Sequence, residues 1–533
     1  MDNKQYNEAL KLFDGYVIDN GEITELSLAF PLYYNIYKNL MLPSKDNLCF
    51  SSAFITLLCQ FSRPLNFFKF YIDLEQEANQ PKIPMNIYGI NILKSGGGKG
   101  LTNNIVKGLL NFDYTKNEFI KQLGKDLDGD NEDEDIKKNI NKLCNIVDAE
   151  EQASASTAGM RVLYDELKNC FLNIDLAEDK WVGGAFFNLQ ELADSLENAN
   201  NYDKDFFSTL KELYDLGEFS AKSLKTGIMG NMRKFYVSFL GATTDKTLQN
   251  NPRTSRLLNN FFISGHARRS LISMPSPQEV LLVESMKKNT DGMTLRELFE
   301  AKKFVENEDV IKTREQVRNN INRLAYKARV GQKGITVTKD CYFYYNVYKW
   351  LCADRAKKVS SSILELETEN RFWKALKISG LLAIYNGESQ ISEEYFCEAV
   401  KIVEYYSYHF KRCLNNRIMT VNDKIIELLM NNNNNGDKDK VCGITNEELR
   451  TNNEVNSYRE NSNITSGDFV KKAMKEVEET LDIAGYTLMK EKRGYNNKVT
   501  VYAAIPNDWL NPKMSDKEPY VVWDNVPKGS EGK

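Results

Sequence analysis

The spacing of apolar residues changes several times along the chain, and each change marks an element. A mostly apolar stretch from Phe50 to Phe61, ending at Arg63-Pro64, completes a helical lead-in over residues 1–81. Met85 to Leu93 is short, apolar and bounded by Pro84 and Ser95-Gly96-Gly97-Gly98, which predicts a buried strand. Leu101 to Leu110 then returns to helical spacing, giving strand, glycine loop and helix in succession. Ala185 to Leu189 and Phe235 to Leu240 have the length of further strands, with a helical stretch, Phe206 to Leu216, between them. Strands alternating with helices imply an α/β sheet. Beyond Pro275-Ser276-Pro277 the pattern predicts an all-helical region through Tyr344–Asp354, Arg371–Tyr385 and Glu393–Phe410. After an Asn-rich loop, Asn431 to Asp439, two short helical patterns precede a hairpin, Tyr486–Glu491 and Lys498–Ala504, around Arg493-Gly494-Tyr495-Asn496. Helices followed by a hairpin predict a winged helix. The expected divisions are 1–81, 82–277, 278–418, 419–510 and an extended tail, 511–533.

Composition narrows the field. A chain of 533 residues suggests about three or four structural units, and 42% hydrophobic with 27% charged residues is ordinary for globular domains. Nine cysteines without a C-x-x-C pair, and no signal-type opening, fit a reducing cytoplasm. No apolar run approaches the roughly 20 residues of a bilayer crossing, so no membrane association is expected. The formal charge of -4 argues against indiscriminate DNA coating, leaving phosphate contacts to a local basic patch. Two histidines, His266 and His409, exclude a His-rich metal site; His266 reads as structural because nothing nearby forms a triad with it.

The sharpest chemical signal is Ser95-Gly96-Gly97-Gly98-Lys99-Gly100, continuing through Leu101 and Thr102. A phosphate cradle needs glycines so that backbone N–H groups point inward, and a lysine at a helix N-terminus to meet the β and γ phosphates. Against G-x-x-x-x-G-K-[ST], Leu93 stands at the first glycine and Gly100 where a hydroxyl would hold Mg2+; Thr102 is the available substitute. The bland alternative is a glycine-rich turn with an incidental lysine.

A phosphate-transfer site also needs a carboxylate at a neighbouring strand end. Ala185-Phe186-Phe187-Asn188-Leu189-Gln190-Glu191 ends in a polar pair: Gln190 is a weak metal ligand, and Glu191 either polarises water or starts an exposed helix. Asp165-Glu166 competes, but on an amphipathic helix. Phe235–Leu240 runs into Gly241-Ala242-Thr243-Thr244, where Thr243 could sense the γ-phosphate or merely close a turn. Arg268 and Arg269 could stabilise phosphoryl charge, even across a subunit boundary, or form surface ion pairs. The run Asp126 to Asp135 is an acidic surface loop, and its partial likeness to a calcium loop fails at Asn131 and Lys137.

From Phe30 to Phe410, the ordered set of apolar lead-in, GGGKG loop, FFNLQE, SFLGATT, GHARRSLISMP and RFWKALKISGLLAIYNG resembles the P-loop ATPases of phages and mobile elements that are related to primases and helicases. The resemblance implies an α/β P-loop NTPase core of RecA-like type, with ATP and Mg2+ as cofactors. It implies a homo-oligomer, with a hexamer among the options, and Lys99, Glu191, Thr243 and Arg268 or Arg269 as loop lysine, acid, sensor and arginine. In the winged helix, Asp468–Leu481 is the candidate inserted helix, with Lys490, Lys492, Arg493 and Lys498 on the wing. Glu476, Glu478 and Glu479 on that helix keep a protein-binding winged helix open. The expected function is a helicase-like or helicase-loading ATPase in DNA replication, partnered by single- or double-stranded DNA and other replication proteins. The alternatives are a catalytically weakened scaffold and a DNA-binding regulator.

Overall fold

A computed structural model describes residues 3–16, 50–75, 82–93, 99–128, 134–148, 150–152, 156–197, 201–220, 222–224, 227–229, 231–244, 252–275, 308–359, 361–415, 425–426, 428–429, 440–452, 455, 465–483, 486–493, 499–506 and 520–522. They fall into two compact units: Met1–Thr247 with Leu257–Asn416, and Leu248–Arg256 with Arg417–Lys533. The lead-in helix, the sheet region and the following helices thus belong to one unit. No helix among the described residues is long and apolar enough to cross a membrane.

The first unit opens with α1 (Asn3–Asp14), α2 (Phe50–Phe67), β1 (Tyr71–Asp73), β2 (Ile83–Pro84) and β3 (Tyr88–Leu93). Then come α3 (Lys99–Leu110), α4 (Phe112–Asp128), α5 (Glu134–Asp148), β4 (Glu151–Gln152), α6 (Thr157–Asn173), β5 (Ala185–Leu189), α7 (Leu192–Glu197) and α8 (Asn201–Leu216). A small hairpin, β6 (Lys222–Leu224) and β7 (Gly227–Met229), precedes β8 (Val237–Thr244), α9 (Pro252–Phe261), of which the part from Leu257 belongs to this unit, and β9 (Ser270–Ser273). The unit closes with α10 (Glu308–Arg329), β10 (Gly334–Val337), α11 (Lys339–Ala356), α12 (Ser362–Glu369), α13 (Arg371–Tyr385), β11 (Gln390–Ile391) and α14 (Glu393–Asn415).

Five strands form a wholly parallel sheet in the order β4-β5-β8-β3-β9. Every residue of β3 and β5 is buried, as expected where helices cover both faces of a parallel sheet. One face carries α2. There Gly89 permits close approach, since a Cβ would lie 2.7 Å from Cys59 Sγ, and Asn91 Nδ2 donates to Thr56 Oγ1 at 3.1 Å. The other face carries α8, where the Tyr88 hydroxyl donates to Leu210 O at 2.8 Å and Phe187 packs on Phe206.

The expected all-helical region is interrupted: β10 pairs in parallel with both β1 and β11, and β2 completes a four-stranded sheet. Gly334-Ile-Thr-Val337 and Gln390-Ile391 are too short to register as strands by periodicity. The strands β4 and β9, of two and four residues, escaped for the same reason. The acidic run likewise divides: Asp126 to Asp128 end α4, while Glu134 and Asp135 open α5, where a helix N-terminus favours negative charge.

All eighteen residues of α2 are buried, polar ones included. Buried Arg63 reaches Glu150 at 2.7 Å, Asp113 at 2.9 Å and Glu151 at 3.4 Å, tying α2 to α4 and to the start of β4. A second buried network joins α11 to α14. Glu367 accepts from Lys374 (2.6 Å), Arg371 (2.9 Å) and Ser407 (2.8 Å); Glu404 accepts from Arg371 (2.8 Å) and Tyr348 (2.7 Å).

The second unit contains β12 (Lys440–Cys442), β13 (Ile444–Thr445), α15 (Asn446–Thr451), α16 (Ser466–Ile483), β14 (Tyr486–Arg493), β15 (Val499–Pro506) and β16 (Tyr520–Val522). Its antiparallel sheet runs β13-β15-β14, and β12 pairs in parallel with β16. Thr445 and Glu448 form a reciprocal cap on α15. Val470, Met474, Val477 and Leu481 of α16 share a core with Leu488, Tyr502 and Ala504.

Burial alone would raise the Glu367 carboxyl, but Arg371 and Lys374 hold it down at about 2. A carboxylate whose folded value lies below its unfolded one stabilises above the unfolded value and loses that contribution as pH falls. Urea midpoints should therefore drop as pH falls from about 4.5 to about 2. That part of the drop should be absent in Glu367→Gln.

Candidate functional site

Because the five strands are parallel, their C-terminal ends share one edge. β3 ends there at Leu93 and α3 begins at Lys99. Ser95, Gly96, Gly97 and Gly98 lie outside the described residues; Lys99, Gly100 and Leu101 form the first turn of α3, with only their backbone described. Thr102 follows, buried and already engaged. The chain leaves β3 through α3, which joins α2 on its face: Gln60 Nε2 donates to Asn103 Oδ1 at 2.6 Å. The chain leaving β8 reaches β9 through α9 on the opposite face, where Phe261 packs on Phe207 of α8. Adjacent strands whose connections depart to opposite faces leave a crevice at their carboxyl ends, the usual ligand position of open α/β sheets.

Polar groups gather at this edge. Thr243, paired with Ile92 of β3, is buried, and its Oγ1 has no hydrogen-bond partner among the described residues. A buried unpartnered hydroxyl is costly, which marks Thr243 as a group that a ligand or water would satisfy. Leu189 pairs with Gly241, so Gln190 and Glu191 leave β5 close to the level of Thr243. Glu191 is exposed before α7, and Asp194 sits in that helix's first turn. Gln190 is not a free metal ligand: its amide donates to Asn188 Oδ1, and Asn188 Nδ2 donates to Glu151 Oε1 at 3.3 Å. Glu151 also meets Lys107 of α3 at 2.6 Å. Burial would raise its carboxyl, but Arg63 and Lys107 hold it below the usual range. Two acceptors without a motif in the sequence, Asn91 Oδ1 and Gln60 Oε1, are also buried without a donor among the described residues. A lone Asn inside an otherwise apolar strand was the available signal.

The structure does not bring the arginines to this edge. Ser270 pairs with Tyr88, so Arg268 and Arg269 precede β9 at the N-terminal edge, separated from the Leu93 end of β3 by the strand's length, about 17 Å. The two differ from each other. Arg269 is buried, donating to Asp215 at 2.6 Å and to Gly265 O at 3.0 Å, whereas Arg268 is part-exposed and 3.9 Å from Asp215. Gly265, at φ 106°, supplies a backbone that side-chain-bearing residues rarely adopt. His266 is buried and stacked on Phe261, and burial keeps its imidazole far below the usual range, hence uncharged. Behind Asp215, Lys377 of α13 donates to Tyr214 O at 2.6 Å and to Asn86 Oδ1, and burial presses its ammonium well below the ordinary lysine value.

Asp165 and Glu166 pair with Arg161 and Lys142 on the surface of α6. In the second unit, Lys490 and Lys492 are exposed on β14, with Lys490 Nζ 5.6 Å from the Tyr502 ring. Arg493 ends that strand, its side chain outside the described residues, and Lys498 is wholly outside them. Lys471, Lys472 and Lys475 are exposed on α16, cations that attention to its glutamates had passed over.

Among the described residues no group of three His, Cys, Asp or Glu side chains could hold a metal ion. No family model matches the chain, and no curated protein sequence does.

The contrast between the arginines is measurable by urea unfolding. Arg269→Ala should cost about 2–4 kcal/mol by leaving Asp215 and Gly265 O without their donor, whereas Arg268→Ala should stay within about 0.5 kcal/mol of wild type.

Proposed function

We propose that this chain is an ATP-binding protein of the P-loop, RecA-like kind that phages and mobile elements use in DNA replication, acting as a helicase-like or helicase-loading ATPase. What carries the reading is the interior strand β3, followed in sequence by the glycine-rich segment and a helix starting at Lys99, beside β8, near whose end Thr243 Oγ1 has no hydrogen-bond partner among the described residues. Lys99 and the first-turn N–H groups of α3 would take the phosphates, and Thr243 would donate its hydroxyl to a phosphate oxygen. Glu191, exposed at the neighbouring strand end, would orient the attacking water. Magnesium fits less well. Thr102 is engaged and Gln190 is spent on Asn188, so the metal would be held by the nucleotide's own phosphates and water.

The arginines' place at the far edge supports assembly. An arginine about 17 Å away along the strand cannot meet its own chain's phosphates, but part-exposed Arg268 could meet those of a second copy. In the second unit, exposed Lys471, Lys472 and Lys475 on α16, together with exposed Lys490 and Lys492 on β14, favour DNA over protein as the partner of a winged helix.

A specific observation favours a second reading: Gln190 bonded to Asn188 leaves no strand-end aspartate, so the domain would bind nucleotide as a scaffold without turnover. ATP hydrolysis with magnesium, with and without single-stranded DNA, separates the two. DNA-stimulated turnover should fall at least about 100-fold in Lys99→Ala and in Glu191→Gln. ATP binding without turnover in the wild type would establish the scaffold, and absence of binding would end both readings. Mixing tests the shared site: Lys99→Ala and Arg268→Ala proteins, each inactive alone, should regain activity together, because some interfaces then pair an intact loop with an intact arginine.

A further inference from the structure

Helices α4 and α10 of the first unit lie side by side and run parallel. Thr115 donates to Asn322 at 3.3 Å, and seven residues further along both helices Arg329 donates to Gln122 at 3.0 Å. Arg329 also approaches Asp126 at 3.4 Å. On each helix this seam separates a buried stripe from an exposed one: Phe112, Phe119 and Leu123 face inward on α4, as do Val317, Ile321, Leu324 and Ala328 on α10. By helical geometry, the opposite stripes therefore turn outward together.

Those outward stripes carry two of the most exposed aromatic residues in the described chain, Tyr114 at 63% and Tyr326 at 59%. The contact register places Tyr326 beside residue 119, five residues beyond Tyr114. That is about 7.5 Å along the axis and 8–10 Å across the helix pair. The tyrosines sit among cations. From Gln316 to Arg329, α10 bears Arg318, Arg323, Lys327 and Arg329 and no acidic residue. Arg329 lies 5.8 Å from the Tyr326 ring on one side. On the other, Arg323 donates to Gly387 O and Ile384 O, carbonyls that leave its charge uncompensated. Burial and then the Arg323 charge depress Lys327 below the ordinary lysine range. On α4, Lys121 and Lys125 are exposed on the same stripe as Tyr114.

Lys121 pairs with Glu118 and Arg329 with Asp126, whereas Lys125 and Lys327 have no ion pair among the described residues. Exposed aromatic faces at nucleotide-scale separation, flanked by such cations, are what a single strand needs: bases stack on the rings and phosphates meet the charges. A folded protein partner would favour a continuous apolar patch, and duplex DNA hides its base faces. We infer that the α4–α10 face is a binding surface for single-stranded nucleic acid, with Tyr114 and Tyr326 as its stacking platforms. It deepens the nucleic-acid part of the reading above and is independent of the glycine loop.

The test is fluorescence anisotropy of a labelled 30-nucleotide single strand with the full chain, at several salt concentrations and without nucleotide. Tyr114→Ala and Tyr326→Ala should each weaken binding about tenfold with the salt slope unchanged, and Lys125→Ala should lower the slope by about 1. All three positions are exposed, and unchanged thermal unfolding confirms that the variants fold. Wild-type affinity in the doubly substituted Tyr protein overturns the inference, as does loss confined to Lys490→Ala and Lys492→Ala. If the Tyr substitutions change sedimentation but not binding, the face is a protein contact and the inference is again overturned. A wild type that binds no single strand also overturns it, while ATP binding dependent on Lys99 would leave the nucleotide reading standing.

Discussion

One charge placed in the interior constrains much of the first unit. Arg63 sits on a helix with no exposed side, so its guanidinium must find its compensation inside the protein. It finds Glu150, Glu151 and Asp113, which come from the strand-order extremity of the sheet and from the start of α4. Lys116 and Lys107 complete the set from α4 and α3. Removing Arg63 or Glu150, the fully buried pair of the group, leaves the other without compensation at a cost of about 3–5 kcal/mol, so the elements they join are held in one arrangement. Because Lys107 lies on the helix that opens with Lys99, and Glu151 bonds the Asn188 that holds Gln190, the same network fixes the floor of the candidate site.

The C-terminal helices are bound to the opposite edge of the sheet by a different means. Lys377 spends its donors on Tyr214 O and Asn86 Oδ1 and lies over the Tyr214 ring at 3.9 Å. It thereby joins α13 to the end of α8, where Asp215 grips Arg269. Lys377 thus ties α13 to the arginine edge, whereas Thr243 stands at the opposite end of the sheet. The edge that precedes α3 and the edge that carries the arginines thus have different neighbours.

How much of this the sequence disclosed depended on element length and on what the elements paired with. Ala185–Leu189 and Arg371–Tyr385 were readable to the residue, because a short run with four apolar residues in five or a full helical stripe leaves little choice of period. Two-residue strands such as β4 were not, because their identity lies in the partner strand and not in their own residues. The arginines illustrate the same limit at the site: GHARRS suggested phosphate chemistry, but only the Ser270–Tyr88 register revealed at which end of the sheet they stand. Asp215, the residue that divides them into a structural and a presented arginine, lies more than fifty residues away in sequence and had no local signature.

The parallel pairing of β1 with β10 has a temporal meaning as well. Tyr71 cannot find Gly334 until the intervening chain has been made, which at ribosomal rates of about 5–20 residues per second takes on the order of tens of seconds. During that interval β1 is an edge without its neighbour, and α2, rich in Phe and Leu, has only part of its covering. The nascent chain must therefore wait, apolar surface exposed, for its own distant half, and contacts of such long range make folding slow and place it within the domain of chaperones.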